Sequence, residues 1–316
     1  MQSGDRAGLH VLGLDGGGSH TQCLVLNGSG QEVGRGSGGP SNHQSVGVEA
    51  AQAALASALA EALAPAGHPA LAAACFGMAG LDRDEDYRIL RRMADAVLPD
   101  PPAEIVHDTL IALVGGTAGR RSGVAIIAGT GSSVVAYAPD GRAARSGGWG
   151  HLLGDEGSGF DIGRRALNAA TRARDGRGPQ TALTERLPAA VGVPTLEALA
   201  DRIYLDGWAA PQIAALAPAV LAAARAGDRV AGEILAVAAD ELALAAVATI
   251  RALGVQEQAF EVVLSGGIFQ GSPEIVERVR QGIARQAPHA DAHLPRREPV
   301  WGAAWLALQT ITSPRA

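Results

Sequence analysis

The sequence predicts an α/β protein made of two related halves, each beginning with a β-hairpin around a glycine-rich loop. The pattern strand, loop, strand, turn in LGLDGGGSHTQCLVLNGSG (residues 12–30) returns in VAIIAGTGSSVVAYAPDG (residues 124–141). The rest of the chain alternates helical stretches with short apolar strands, which is typical of α/β folds. The 316 residues are enough for two domains, and a hydrophobic content of 47% with 18% charge indicates a packed core.

The first glycine loop connects two strands. The apolar run 23–26 follows it directly, and Asn27-Gly28 then signals a turn. A dinucleotide-binding loop is therefore excluded, because that loop must open a helix. The sequence also contains no lysine, which excludes a P-loop, lysine Schiff-base chemistry and the lysine of protein kinases.

The two hairpins predict an internal duplication. A constant offset of 113 residues maps Gly16, Gly18, Ser19, Gly28 and Gly34 onto Gly129, Gly131, Ser132, Gly141 and Gly147. Agreement of both loop and turn is harder to dismiss as chance than agreement of glycines alone. Two loops that each offer backbone N–H groups would hold a polyphosphate without lysine.

The elements between the hairpins follow in order. The first half is predicted to continue with a helix (48–64), a strand (70–80), a helix (84–97), a short strand before Asp108 and a helix (109–116). The joint GTAGRRSG is the predicted boundary between domains 1–118 and 119–316. The second domain is predicted as helices over about 157–253, a strand at 260–267, a helix from Ser272 and a final helix. That final helix, about 300–316, is expected to pack back on the first domain.

Charge and cysteine content limit the classes of binding partner and the cellular compartment that the sequence predicts. A net charge of −6 without a basic cluster argues against nucleic acid and anionic membrane surfaces. Cys23 and Cys75 lie inside apolar runs, as expected for buried thiols in a reducing compartment. No signal core and no membrane-length apolar run occur, so a cytoplasmic protein is expected. A homodimer is one expectation for the oligomeric state.

Seven sequence segments, in this order along the chain, are characteristic of a known family: LGLDGGGSHT, GPSNH, GMAGLDR, VHD, AGTGSS, GGWGHLLGDEGSG and VVLSGG. Together they resemble the N-acetylglucosamine kinase/BadF-type ATPase family of the actin, heat-shock chaperone and sugar kinase superfamily, over about residues 10–310. The resemblance implies two ribonuclease-H-like (actin-like ATPase) domains around an interdomain cleft, the second enlarged by helices. It also implies ATP with Mg²⁺ in that cleft and closure on an amino sugar.

The nucleotide residues follow from these motifs. Asp15 is expected to hold Mg²⁺, usually through water, and its alternative role is to shape the turn. The expected phosphate donors are Gly16, Gly17, Gly18, Ser19 and Thr21 in the first loop and Thr130, Gly131 and Ser132 in the second. Gly266 and Gly267, between a strand and a helix, would let adenine and ribose approach the backbone. A plain strand-to-helix turn would look the same.

Asp108 is the expected general base. It follows the strand EIVH, at an edge where sheets of open α/β folds face clefts, and a carboxylate there would take the proton of a sugar hydroxyl. Its alternative role is a helix N-cap. The expected sugar contacts are Asn42, Asp108, Gly148, Trp149 and Asp155, with His43 as a structural neighbour. Gln44 departs from the family, where an aromatic residue is common.

The predicted activity is therefore phosphorylation of an amino-sugar hydroxyl by ATP. N-acetylglucosamine, giving N-acetylglucosamine 6-phosphate, is the first candidate and glucosamine the second. One alternative is an ATP-driven electron donor of an acyl-CoA dehydratase, which would need exposed cysteines for an iron–sulfur cluster. Another is an ATP-binding sensor without catalysis.

Overall fold

The computed structural model describes residues 8–312 as two compact α/β units. One unit contains the described residues up to Arg121 together with those from Pro295 onward, and the other contains Ser122–Leu294. The division falls within the GTAGRRSG joint, three residues after the predicted boundary. The sequence interpretation assigned 119–316 to the second domain; in the structure the segment from Pro295 belongs with the first unit.

The first unit is built on a five-stranded sheet of order β3-β2-β1-β4-β5. Its strands are β1 (His10–Gly16), β2 (Thr21–Asn27), β3 (Glu32–Gly38), β4 (Leu71–Met78) and β5 (Glu104–His107). β1 pairs antiparallel with β2 and parallel with β4, so the first hairpin continues directly into the parallel part of the sheet. Its helices are α1 (His43–Val46), α2 (Val48–Leu63), α3 (Asp84–Val97), α4 (Asp108–Gly116) and α13 (Pro299–Thr312).

Small residues allow α2 to lie very close to β3. Gly34, Gly36 and Gly38 alternate along the strand, and a Cβ on any of them would overlap the backbone of α2. The facing helix residues are alanines spaced four apart, Ala54, Ala58 and Ala62. The glycines of the strand and the alanines of the helix thus allow β3 to pack directly against α2.

The opposite face of this sheet carries α4 and α13. A Cβ on Gly13 of β1 would overlap the backbone at Ala304, and one on Gly302 would overlap the carbonyl oxygen of Ile111. The core between these elements includes fully buried Cys75 and Val300. The final helix therefore completes the core of the first unit, as far as the chain is described.

The second unit repeats the same topology with more helices. Its sheet has the order β8-β7-β6-β9-β10, formed by β6 (Gly123–Ala128), β7 (Ser132–Tyr137), β8 (Ala143–Gly147), β9 (Phe260–Ser265) and β10 (Ala290–His293). Its helices are α5 (Gly159–Arg174), α6 (Leu183–Ala190), α7 (Leu196–Leu205), α8 (Ala210–Ala214), α9 (Ala217–Arg225), α10 (Arg229–Leu253), α11 (Gly267–Gly271) and α12 (Pro273–Ala284). The predicted α/β class and helical enlargement are confirmed.

The matching strand orders support the internal duplication, but the offset between equivalent residues of the two halves differs in part from the predicted one. The turn after β2 is closed by the N–H of Asn27 donating to the carbonyl of Gln31, and the turn after β7 by Ala138 donating to Arg142. These pairs are 111 residues apart, and so are the first residues of β2 and β7. The predicted offset of 113 matches the first residues of β1 and β6 but is wrong from β2 and β7 onward, because the second loop is shorter and the left-handed turn residue equivalent to Gly141 is Gly30.

The buried cysteines follow from the sequence, whereas the shortest elements do not. Cys23 and Cys75 are fully buried in strands, as expected. The short elements α1, α11 and β10 were not predicted, since four or five residues carry too little periodicity. Among the described helices, none combines the length and apolar character needed to cross a bilayer.

Candidate functional site

The first glycine loop lies between β1 and β2 and organises the segments around it. The N–H of Gly17 donates to the His20 carbonyl at 3.1 Å, which closes the loop. The Gly17 carbonyl accepts from the backbone N–H groups of Ser41 and Asn42 at 3.0 and 3.2 Å. Gly18 and Ser19 are exposed at the tip. The loop thus brings the predicted sugar residue Asn42 beside the predicted phosphate donors.

Gly16 has a packing reason to be glycine. A Cβ there would lie 2.6 Å from Sδ of Met78 and 2.9 Å from Oγ of Ser41. Its carbonyl accepts from the Ala79 N–H at 2.9 Å, which ties the GMAG segment to the loop. Gly16 therefore supports the loop from beneath, whereas Gly18 has open space where its Cβ would be.

Thr21 differs from its predicted role. The side chain is fully buried, and its Oγ1 lies 2.8 Å from the carbonyl oxygen of Gly39 and 2.8 Å from Oγ of Ser41. A hydroxyl has one proton, so donation to the Gly39 carbonyl leaves Oγ1 as an acceptor towards Ser41. The Thr21 hydroxyl is therefore engaged within the protein and is not a phosphate donor in this structure.

Asp15 lies at the end of β1 in a negative environment. Burial, and then the charges of Asp108 and Glu298, raise the pKa of Asp15 to about 7. A cation beside Asp15 would offset this negative environment and favour the ionised carboxylate. The oxygen donors present suit Mg²⁺, with Asp15 and Asp108 as the residues able to hold it. Glu298 was missed by sequence reasoning, since it reaches this edge only through the fold of the chain end.

Asp108 is the first residue of α4, and its neighbour His107 is the helix N-cap. His107 Nδ1 accepts from the backbone N–H of Thr109 at 3.2 Å, so the predicted alternative role of Asp108 as N-cap is wrong. The same Nδ1 lies 2.7 Å from Oδ1 of Asp108, and the Asp108 side chain remains 25% exposed. Because Nδ1 accepts from Thr109, it has no proton to donate to Asp108, and Oδ1 of Asp108 is buried with no hydrogen-bond partner among the described residues. The partly exposed carboxylate is therefore available to a ligand.

Asn42 is fixed at the start of α1. Its Oδ1 accepts from the N–H of Gln44 at 3.0 Å, which leaves the Nδ2 amide as its group for a ligand. A Cβ on Gly80 would lie 2.7 Å from this Oδ1, so the GMAGLDR loop packs directly on Asn42. Gln44 Nε2 donates to the Gly80 carbonyl and to Asp86, both at 3.2 Å.

Asp86 connects the GPSNH and GMAGLDR segments. It is almost fully buried, and burial alone would raise the pKa of its carboxyl; hydrogen bonds from Arg83, Gln44 and His43 and the Arg83 charge instead lower that pKa to about 2. Nε2 of buried His43 lies 3.4 Å from Asp86 Oδ1. These contacts support the expectation that His43 is structural, and Gln44 takes part in the same network.

The second glycine loop, between β6 and β7, is braced by Asp155. Asp155 is buried and has a left-handed backbone with φ of 60°, which is costly for a residue with a side chain. Its Oδ1 accepts from the Ser132 N–H at 3.0 Å, and a Cβ on Gly131 would lie 2.8 Å from its Oδ2. Burial raises the pKa of Asp155, although the Ser132 bond opposes this.

These contacts affect two predicted roles. The hydroxyl of Ser132 donates to the Glu156 carbonyl at 2.8 Å, so both of its donors are used inside the unit. Ser132 therefore supports the loop instead of offering donors to phosphate, while Thr130 and Gly131 stay as candidates. Asp155 Oδ1 already accepts from the Ser132 N–H, which leaves Oδ2 as its second oxygen for a sugar hydroxyl.

The loop around Trp149 is open. Gly148 and Gly150, with φ of 70° and 79°, flank Trp149, whose side chain is 73% exposed. The N–H of Gly148 donates to the Ser132 carbonyl at 3.0 Å, which anchors this loop to the second glycine loop. Leu152 and Leu153 are also strongly exposed. The second unit thus presents a mostly apolar loop next to Asp155.

Gly266 and Gly267 have separate roles after β9. Gly266 has φ of 110°, and a Cβ on it would overlap the carbonyl oxygen of Ala128 at the end of β6. Close backbone packing therefore explains Gly266 without a ligand. A Cβ on Gly267 would meet nothing within 4 Å. Of the two, Gly267 is the position where the backbone is open to an approaching ring.

Comparison with known proteins gives matches that span all of the predicted site residues. Residues 12–307 match the model of the BadF/BadG/BcrA/BcrD ATPase family. The chain belongs to this family. It is 33% identical to an N-acetylmuramic acid/N-acetylglucosamine kinase of Clostridium acetobutylicum, over 94% of this chain and 98% of the relative. It is 31% identical to an N-acetyl-D-glucosamine kinase of Dictyostelium discoideum, over 95% and 98% of the two chains.

A solved structure has the same fold. The Chromobacterium violaceum protein assigned as an N-acetylglucosamine kinase superposes with a TM-score of 0.74 at 29% identity, over 95% of this chain and 99% of that one. The family prediction made from the motifs is confirmed, as is the actin-like fold that it implied.

Proposed function

We propose that this protein transfers the γ-phosphoryl group of ATP to a hydroxyl of an amino sugar, with N-acetylglucosamine as first substrate and N-acetylglucosamine 6-phosphate as product. The observation that carries the proposal is the meeting of Asp108, Asp15 and the first glycine loop at one end of the first unit's sheet. The names of the full-length relatives support the substrate class.

Asp108 is proposed as the general base. Its partly exposed carboxylate would accept the proton of the attacking hydroxyl while that oxygen bonds to the γ-phosphorus and ADP leaves. Asn42 would donate its Nδ2 amide to the sugar, and Asp155 would accept from a sugar hydroxyl at Oδ2. Trp149 would cover one apolar face of the ring.

The nucleotide would be held mainly by backbone groups. Gly18 and Ser19 at the first loop, and Thr130 and Gly131 at the second, are proposed phosphate donors, and Gly267 the position that adenosine approaches. Mg²⁺, held by Asp15 with Asp108 nearby, would supply positive charge at the phosphates in place of a lysine, which the sequence lacks.

A coupled assay of ADP release against a sugar panel tests the proposal. The panel contains N-acetylglucosamine, glucosamine, N-acetylmuramic acid and glucose, and ³¹P–¹H NMR of the product identifies the phosphorylated hydroxyl. N-acetylglucosamine should give the highest kcat/KM, with turnover strongly reduced in the Asp108→Asn variant. Sugar-independent ADP release, or none with any sugar, would contradict the kinase assignment.

Two alternatives would give different results. An electron donor with an iron–sulfur cluster needs accessible thiolates, whereas Cys23 and Cys75 are both fully buried. A purified protein with stoichiometric iron would nevertheless restore that alternative. An ATP-binding sensor would bind nucleotide and sugar without forming a phosphorylated product.

A further inference from the structure

A groove of about 360 Å³ in the second unit has three arginines among its eight lining residues. It lies between α5, the loop that follows α5, and the first turns of α10. Its lining is Arg164, Arg165, Asn168, Ala169, Arg172, Pro179, Val230 and Glu233. None of these residues belongs to the proposed kinase machinery.

The donors in this groove are arranged by the helix. Arg164, Asn168 and Arg172 are spaced four residues apart on α5, so their side chains share one face. All three are exposed, and each presents N–H donors. Half-buried Arg165 adds a fourth donor group on the same side. A row of guanidinium and amide donors is the arrangement that binds phosphate oxygens.

The groove has more positive than negative charge. Arg164 and Arg165 share the single carboxylate of buried Asp161, at 2.9 and 2.8 Å. Arg172 donates to the carbonyl of Arg177 at 3.2 Å, a bond that brings no counter-charge. Glu233, the one acidic lining residue, is paired with Arg229. The three lining arginines therefore outnumber the two nearby carboxylates, and one of these, Glu233, is already neutralised by Arg229 outside the lining.

We propose that this groove is a second anion site that binds the phosphate group of a small phosphorylated molecule. The surplus positive charge would attract the dianion, and Arg164, Asn168 and Arg172 would donate to its oxygens. The volume is large enough for a hexose phosphate, since small-molecule sites begin at about 300 Å³. The site does not depend on the proposed kinase function, because phosphate binding needs neither ATP nor an acceptor sugar.

Isothermal titration of the full-length protein with inorganic phosphate, without nucleotide or sugar, tests this site. The variant Arg164→Gln/Arg172→Gln removes two charges from the groove. The matched control Arg174→Gln/Arg177→Gln removes two charges from the same helix end, where the partners are Glu197 and Asp175. The groove variant should raise the phosphate Kd roughly tenfold or more, because charge-assisted bonds are lost, and the control should not.

Two further measurements complete the test. Asn168→Asp, at an exposed position, should weaken phosphate binding without affecting folding, because it adds a negative charge. Titration with N-acetylglucosamine 6-phosphate shows whether a sugar phosphate binds more tightly than phosphate alone. Equal phosphate affinity in the groove and control variants, or no saturable binding by the parent protein, would overturn the site. Sugar kinase activity, measured on the same variants, should be unchanged, which separates this result from the proposed function.

Discussion

The two glycine loops occupy equivalent places in the two units, yet each uses its carboxylate differently. In the first unit, Asp15 precedes the loop, and burial and neighbouring acids raise its pKa to about 7. In the second unit, Asp155 lies behind the loop and accepts from the Ser132 N–H. One carboxylate is therefore suited to a cation, while the other fixes backbone. The two units share a topology, and the placement of one carboxylate in each gives their glycine loops different chemical roles.

The loops differ in openness for the same reason. A Cβ on Gly18 would meet no atom within 4 Å, whereas a Cβ on Gly131 would strike the Asp155 carboxylate. The carbonyls of Gly129 and Thr130 also accept from Gly159 and Phe160 of α5, at 2.8 and 3.1 Å. The tip of the first loop at Gly18 is therefore open to a ligand, whereas the second loop packs against Asp155 and α5 of its own unit.

The largest effect is expected at Asp108. If the first unit supplies the chemistry, Asp108→Asn should lower turnover by about 10²- to 10⁴-fold, the usual contribution of a general base. Steady-state kinetics, with circular dichroism to confirm folding, provide the measurement. Glu104→Gln, at the exposed start of β5, the strand that precedes Asp108, is the control and should keep full activity. Near-normal turnover of the Asp108 variant would remove this residue from the mechanism.

Asp15 should link metal, pH and stability. Its raised pKa means that the folded, metal-free protein holds a proton that the unfolded chain releases above about pH 4. The free energy of unfolding should therefore fall as pH rises towards 7, by on the order of 2 kcal/mol between pH 5 and 7. Urea denaturation in EDTA should show this slope in the parent protein and not in Asp15→Asn.

The same variant tests the metal role. Asp15→Asn should raise the Mg²⁺ concentration needed for half-maximal activity by roughly 10- to 100-fold, as loss of a group that holds or orients a metal does. Added Mg²⁺ should restore stability above pH 7 in the parent protein alone. An unchanged Mg²⁺ requirement would return Asp15 to a turn-shaping role.

Substitution of Gly131 and of Gly18 by alanine should affect the free energy of unfolding differently in the two loops. Gly131→Ala places a methyl group 2.8 Å from the Asp155 carboxylate, so we expect a loss of about 1–3 kcal/mol in unfolding free energy. Gly18→Ala meets no neighbour and should leave stability unchanged. Guanidinium denaturation of both variants provides the comparison. Similar stability of the two would mean that Asp155 does not brace the second loop.

Much of this site could be predicted from the chain, and the missing part has a physical cause. The hairpins, the buried cysteines and the strand before Asp108 all follow from apolar patterning and turn residues. Glu298 and Asp86 could not be predicted, because tertiary folding brings them beside residues distant in sequence. These hydrogen bonds could not be predicted either: motif position makes Thr21 and Ser132 phosphate donors, whereas residues distant in sequence already accept from their hydroxyls.

Thr21 offers the smallest and most specific test of this difference. Thr21→Val keeps the shape of the side chain but removes the buried oxygen, which leaves the Gly39 carbonyl and the Ser41 hydroxyl without that partner. We expect a loss of about 1 kcal/mol in unfolding free energy, the usual net worth of one hydrogen bond, with the KM for ATP nearly unchanged. Thr21→Ser keeps the hydroxyl and should restore most of the stability. A phosphate-binding hydroxyl would behave in the opposite way, since Thr21→Val would then raise the KM for ATP severalfold while stability stayed constant.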